Sequence, residues 1–202
     1  MAKTTPNAKS NDDIVIKPWK RISSTVALDE KWFPVSKHKT QLPSGTIVDD
    51  YFVWNSPDIA LAVPITEDGK FVICEQYRFA IDQLMFQFPA GGINKNELKE
   101  DAARREMEEE TGYIGGELTY LGKCSPFGSK MTTWEYVYLI KGVRPGGNKA
   151  DDENEPSKNY LKTPEEIMSM IESGELVNSG SLSAALLVFQ KLGYLKSVSP
   201  TT

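Results

Sequence analysis

Hydrophobic positions along this chain change period several times. Residues 33–39 and 46–54 alternate apolar with polar, and Leu42-Pro43-Ser44-Gly45 lies between them. Period two marks half-buried strands and Pro-Ser-Gly is turn chemistry, so a hairpin is expected here, with 24–28 a further candidate strand. The run 59–66 (IALAVPIT) is apolar almost throughout, as in a strand buried on both faces. Glu67-Asp68-Gly69-Lys70 is a hairpin turn that returns the chain along 71–77. Residues 96–112 shift to helical spacing, and 118–123 and 134–141 read as strands. Thr163-Pro164-Glu165-Glu166 is a capping box with proline in the first turn, opening a helix that ends at Gly174. A strongly apolar helix over 181–192 ends at Gly193. Residues 1–13 are polar and aperiodic, a flexible tail.

Composition narrows the class. The chain has 202 residues, 40% hydrophobic and 25% charged, which suits one globular domain with a full core. A net charge of −5 argues against a polyanion-binding surface, so nucleic acid is not an expected partner. No transmembrane run, signal peptide or internal repeat is read, so no membrane is expected. Cys74 and Cys124 fit a reducing, cytoplasmic setting and have no zinc spacing. His38 is the only histidine, which excludes a His-rich metal site and disfavours a Ser-His-Asp triad. Acid–base work then falls to carboxylates.

The helical stretch is the richest in candidate chemistry. Asn96 is a plausible N-cap, and Gly112 is the residue type that ends helices in the left-handed conformation. At about 100° per residue, Glu100, Asp101, Arg104 and Glu108 share one arc, with i,i+4 pairs that suit a solvated face. Leu98, Ala102, Ala103 and Met107 flank the other side. Glu106, Glu109 and Glu110 fall among those apolar positions at i, i+3 and i+4. Three packed carboxylates repel one another and resist ionising unless a hard cation joins them. The bland alternative is a charge-rich surface helix.

The spacing decides between these readings. Gly91, Glu97, Arg105-Glu106-Met107, Glu109-Glu110 and Gly112 fall in the order G-x5-E-x7-R-E-U-x-E-E-x-G-U, where U is bulky and aliphatic. This resembles the Nudix box, with Tyr113 departing softly at the last position. The resemblance implies an α/β/α sandwich with a mixed central sheet, preceded by an N-terminal antiparallel β-hairpin extension. The expected division is a tail over 1–18, the extension over 19–56 and the hydrolase domain over 57–196. It also implies Mg²⁺, with Mn²⁺ as a substitute, held by Glu106, Glu110 and the backbone carbonyl of Ala90. Glu109 either ligates a further ion or orients a water. Gly91, Glu97, Arg105 and Gly112 are implied to be structural, with Glu97 and Arg105 as an ion pair that holds the loop onto the helix. Glu108 is assigned to solvent.

Outside the box the resemblance points to the ADP-ribose pyrophosphatase and nucleoside diphosphate sugar hydrolase branch. Gln76-Tyr77-Arg78 before a loop and Pro89-Ala90-Gly91 entering the box are similar to that branch, where the arginine meets substrate phosphates; as a bare residue Arg78 reads equally as a surface arginine. Gln87 departs from the glutamate common there, removing a carboxylate behind the site. Pro126 in the Ser125-Pro126-Phe127-Gly128 loop resembles the branch's pocket-shaping proline, though Ser-Pro and Gly make any surface turn. The acidic stretch 150–156 reads as a linker or, by resemblance, as a late loop that brings Glu153 as base and Glu155 as ligand. Trp32, Phe33, Tyr51, Phe52 and Trp54 crowd the N-terminal hairpin, as packing, as a base-stacking platform or as a homodimer surface. The function implied is hydrolysis of a nucleoside diphosphate linked to a sugar, ADP-ribose preferred. The alternatives are a nucleoside triphosphate or capped-RNA pyrophosphohydrolase and a non-catalytic nucleotide-sugar sensor.

Overall fold

Alternating side chains set the first strands. The computed structural model describes residues 15–150 and 156–195, so the tail over 1–13 lies outside the described residues. Strands β1 (Lys20–Leu28), β2 (Val35–Gln41) and β3 (Ile47–Trp54) form an antiparallel sheet in that order. The expected hairpin is thus the β2–β3 pair, and β1 adds a third strand that is exposed along its whole length. Its aromatic residues divide between packing and exposure. Phe33 and Trp54 stack at 4.7 Å between ring centroids, while Trp32 is 80% exposed. His38 is buried and shares a 2.8 Å hydrogen bond with the Ser24 hydroxyl, a structural use. The chain divides into two compact units, Met1–Asn55 and Ser56–Thr202, and this sheet belongs to the first.

The second unit grows around strand β4 (Ile59–Thr66), which pairs with β5 (Phe71–Arg78) beyond the Glu67–Lys70 turn. Strand β6 (Gln83–Gln87) lies against β5, and the three-residue β7 (Ala90–Gly92) lies against the start of β4. Helix α1 (Lys99–Thr111) leads into β8 (Tyr113–Cys124), β9 (Glu135–Pro145) and β10 (Ser157–Lys162). The sheet runs β10-β5-β4-β9-β8, and β4–β9 is its parallel pair. Helices α2 (Pro164–Glu172) and α3 (Ser179–Leu192) complete the chain.

Period-two alternation in β4 sorts the core into two halves. Leu61, Val63 and Ile65 join Ile167, Met170, Ala184, Ala185, Val188 and Phe189 of α2 and α3. Ala60 and Ala62 join Ala102, Ala103 and Met107 of α1. The small side chains of β4 and α1 let that helix pack close to the sheet. Helices therefore cover both faces, an α/β/α sandwich, and both faces of β4 are apolar for that reason. Among the described residues no helix is long and apolar enough to cross a membrane.

Local signals set the helix ends. Thr163 Oγ1 accepts from the Glu166 N–H at 3.2 Å, and Glu166 accepts from the Thr163 N–H at 2.7 Å, a complete capping box. Helix α3 starts at Ser179, ahead of the expected 181, because Asn178 Oδ1 accepts from the Ser181 N–H at 2.9 Å. Gly193 ends it in the left-handed conformation. Phe189 of α3 meets Phe71 edge-on at 5.8 Å inside the larger core half. Phe189→Ala is expected to cost about 3–5 kcal/mol of stability, read from the shift in urea midpoint, since its ring is fully buried.

Candidate active site

The site is built where β7 turns into α1. Pairing of Leu61 with Ala90, Ala60 with Gly91 and Ile59 with Gly92 pins three residues to the edge of β4. A tight loop follows, in which the Glu97 N–H donates to the Asn94 carbonyl and the Asn94 N–H donates to Glu97 Oε2. Asn96 sits inside this loop at φ 68°, so it does not cap the helix as expected. Leu98 takes the N-cap position without a side-chain cap, and Glu100 and Asp101 in the first turn offset the helix dipole. The helix ends at Gly112, φ 71°, as its residue type dictates.

Arg105 gathers the acidic residues. Its Nε and Nη2 donate to the two Glu97 oxygens at 2.7 and 3.0 Å, and Nη2 also donates to the Gly92 carbonyl at 2.9 Å. Its Nη1 donates to Glu106 at 2.7 Å and to Glu109 at 3.1 Å. Every N–H of the guanidinium is thereby spent. Hydrogen bonds from Arg105 hold the Glu97 carboxyl down at about 2. Glu106 behaves oppositely: burial pushes it above the usual carboxylate range, against the pull of Arg105.

Glycine at 91 makes room for Glu106. A methyl group there would overlap the Glu106 carboxylate, which rests directly on the β7 backbone beside Ala90. Glu109 is half exposed, with 46% of its side chain open. Glu110 is partly buried, and its charge reaches the buried Cys74 thiol, which burial foremost pushes up to about 12. Among the described residues no three His, Cys, Asp or Glu side chains stand close enough together to hold a metal ion. Arg105 Nη1 bridges Glu106 and Glu109. The cradle at Gly91 and an all-oxygen donor set nevertheless fit a hard divalent cation in kind, one that would compete with Arg105 for these carboxylates.

The outer arc of α1 is less solvated than its charges suggest. Arg104 donates to the Gly115 and Gly116 carbonyls of β8 at 3.0 and 3.2 Å. Glu108, expected in solvent, accepts from the Asn148 N–H at 3.2 Å. Both residues tie the helix to chain segments far away in sequence, which an i,i+4 reading cannot anticipate.

A small pocket of about 150 Å³ opens on the α3 side of β7, with Ala90 and Arg78 in its wall. Arg78 donates through Nε and Nη2 to Gln87 Oε1 at 3.0 and 2.6 Å, and Gln87 Nε2 donates to Gln76 at 2.7 Å. A glutamate at 87 would accept from both residues only with the Gln76 amide turned to donate, and it would add a charge beside Arg78. Gln87 is therefore a relay between Gln76 and Arg78, and not merely a lost carboxylate. Glu135 and Asn178 also line this pocket, and neither was singled out from sequence. A signal for Glu135 did exist: it is in phase with the buried Val137 and Leu139, placing a carboxylate on the core face of β9. Pro126 is partly buried in the turn after β8 and is not among the residues lining this pocket. Glu153 and Glu155 lie outside the described residues.

Comparison with known proteins follows the same division of the chain. The family model for the NUDIX domain matches residues 56–177, and that for the nucleoside diphosphate sugar hydrolase N-terminal domain matches residues 19–54. The CMP-5'-(N-acetyl-N-hydroxy-3-aminopropyl)phosphonate hydrolase of Streptomyces rubellomurinus is 26% identical over 84% of this chain and 82% of its own. The ADP-ribose pyrophosphatase of Bacillus subtilis is 26% identical over 70% of this chain and 84% of its own. A crystal structure of an ADP compounds hydrolase superposes with a TM-score of 0.79, covering 92% of this chain and 100% of its own at 21% identity, a likeness of fold.

The Arg105–Glu97 pair has a pH signature. Glu97 titrates near 2 when folded, below its ordinary 4.5, so it stabilises the fold above pH 4.5 and that contribution fades as pH falls towards 2. Glu97→Gln should therefore lower the melting temperature at neutral pH, with the gap to wild type closing between pH 4.5 and 2. A gap independent of pH would contradict the assignment.

Proposed function

The chain belongs to the Nudix hydrolase family, and on that footing we propose that it hydrolyses the pyrophosphate bond of a nucleoside diphosphate linked to a sugar. ADP-ribose is the preferred substrate in this reading, giving AMP and ribose 5-phosphate, with Mg²⁺ as the cation. The observation that carries it is the placing of Arg78 and Ala90 in one pocket wall, with the Glu106 carboxylate next door on Gly91. A phosphate-binding cation thus stands beside an acidic, oxygen-rich site. The family match at 19–54 and the names of the relatives support the same substrate class.

Charge dictates the division of labour. A pyrophosphate repels nucleophiles, and a bound divalent cation would offset that charge and polarise the phosphoryl group. Ala90, Glu106, Glu109, Glu110 and Glu155 are the residues assigned to hold it. Arg78 is assigned to bind a phosphate oxygen, with Gln87 Oε1 orienting its guanidinium. A carboxylate takes the proton of the attacking water as the P–O bond to the leaving phosphate breaks. Glu153 is assigned as that base, with Glu109 or Glu155 sharing the work. The exposed β1, with Ile22, Val26 and Leu28 open to solvent, is assigned as a contact between two copies of the chain.

The deciding experiment is phosphate release, through a coupled phosphatase, across ADP-ribose, other nucleotide sugars, nucleoside triphosphates and capped RNA. ADP-ribose should be preferred, and activity should vanish on chelation and return with Mg²⁺. Glu109→Gln and Glu110→Gln should each lose most turnover, on the order of 100-fold or more, with folding intact. Preference for triphosphates or capped RNA, or full activity in both variants, overturns the reading. Light scattering should give the mass of a dimer, and Val26→Asp should shift it to a monomer.

A further inference from the structure

Helix α1 is held at its middle and again at its far end. Arg105 ties the middle to the Gly92 carbonyl of β7 and to Glu97 in the loop. The last carbonyls of a helix have no partner within it, and here remote segments supply the donors. The Ala150 N–H donates to the Glu109 carbonyl at 2.8 Å, and the Gly146 and Gly147 N–H groups donate to the Gly112 carbonyl at 3.2 and 3.0 Å. The Thr111 carbonyl, the last of the helix, takes a side chain: Asn159 Nδ2 of β10 donates to it at 2.8 Å.

Asn159 is fixed in turn from the sheet. It lies opposite Cys74 in the antiparallel β10–β5 pair, and its Oδ1 accepts from the Cys74 thiol at 3.4 Å. Cys74 is fully buried, so its thiol stays protonated and remains a donor. The amide is therefore a link with a donor at one end and an acceptor at the other, running from β5 to the end of α1. A leucine of similar size would leave the Thr111 carbonyl without this donor.

Glu109 and Glu110 stand on the turn that this link holds. Glu110 lies five residues beyond Arg105, about 7.5 Å along the helix axis, so a tilt of about 5° at Arg105 would displace it by about 0.7 Å. Ligand sets work only when held within about 0.5 Å of the productive geometry. Arg105 by itself leaves the far end of the helix free to make such a tilt, and the bond at Thr111 opposes it.

We propose that Asn159 is a positioning residue that, through the Thr111 carbonyl, holds Glu109 and Glu110 where they can share a divalent cation with the β7 backbone. This rests on the reading of those two glutamates as cation ligands.

The test measures Mn²⁺ binding by the substrate-free full chain, from the electron paramagnetic resonance signal of the free ion, beside melting temperatures recorded without cation. Asn159→Leu keeps the volume and loses the amide, and Asn159→Ala loses both. Val188→Ala opens a cavity in the core half that α3 builds, and controls for lost stability alone. Both Asn159 variants should weaken Mn²⁺ binding about 10-fold. Val188→Ala should bind Mn²⁺ as wild type does, although its melting temperature falls. Wild-type affinity in the Asn159 variants, whatever their melting temperatures, would mean that Asn159 only closes the helix. An equal weakening in Val188→Ala would mean that lost stability is enough. Either result overturns the assignment and leaves the cation reading standing. Absence of Mn²⁺ binding by wild type overturns the cation reading first, and this assignment with it.

Discussion

One guanidinium holds the acidic corner of this protein together. Arg105 bonds to three carboxylates and one backbone carbonyl, and those partners come from β7, the loop and the helix itself. Each partner alone would be a modest ion pair. Together they fix the path of the chain between Gly92 and Lys99, where no side chain caps the helix and Asn96 adopts a left-handed backbone. Arg105 also supplies the opposing charge to both Glu106 and Glu109. A divalent ion would have to take oxygens that Arg105 now holds.

The rest of the site follows from the two-sided burial of β4. Ala60 and Ala62 admit α1, and the larger Leu61, Val63 and Ile65 meet α2 and α3. Strand β7 lies on the edge of β4 and belongs to both sides. Through Gly91 it carries the acidic face of α1, and through Ala90 it lines the pocket with Arg78.

Gln87 and Glu135 show how neutral and charged groups are used in the same pocket. Gln87 accepts from Arg78 and donates to Gln76, so it orients the guanidinium. Glu135, on the opposite wall, meets the Cys124 thiol and the first turn of α3.

Much of this was written in local sequence. Apolar runs placed β4 and β5, the Thr163 capping box and Gly174 bounded α2, and Gly112 ended α1, because each depends on residues within a turn or a strand of one another. The spacing from Gly91 to Gly112 identified the family for the same reason, as one loop and one helix carry all of it. Other features depended on chain segments far apart. Strands β6, β7 and β10 are too short or too polar to show a period, and they exist only because β4 and β5 offer them an edge. Arg104 and Glu108 looked solvated until β8 and Asn148 reached them, whereas Asn96 lost the cap position to the local Asn94–Glu97 turn. The pocket joins β5, β6, β9 and α3, so the partners of Arg78 and the setting of Glu135 were decided by tertiary structure alone: hydrogen bonds across a sheet have no fixed separation in sequence.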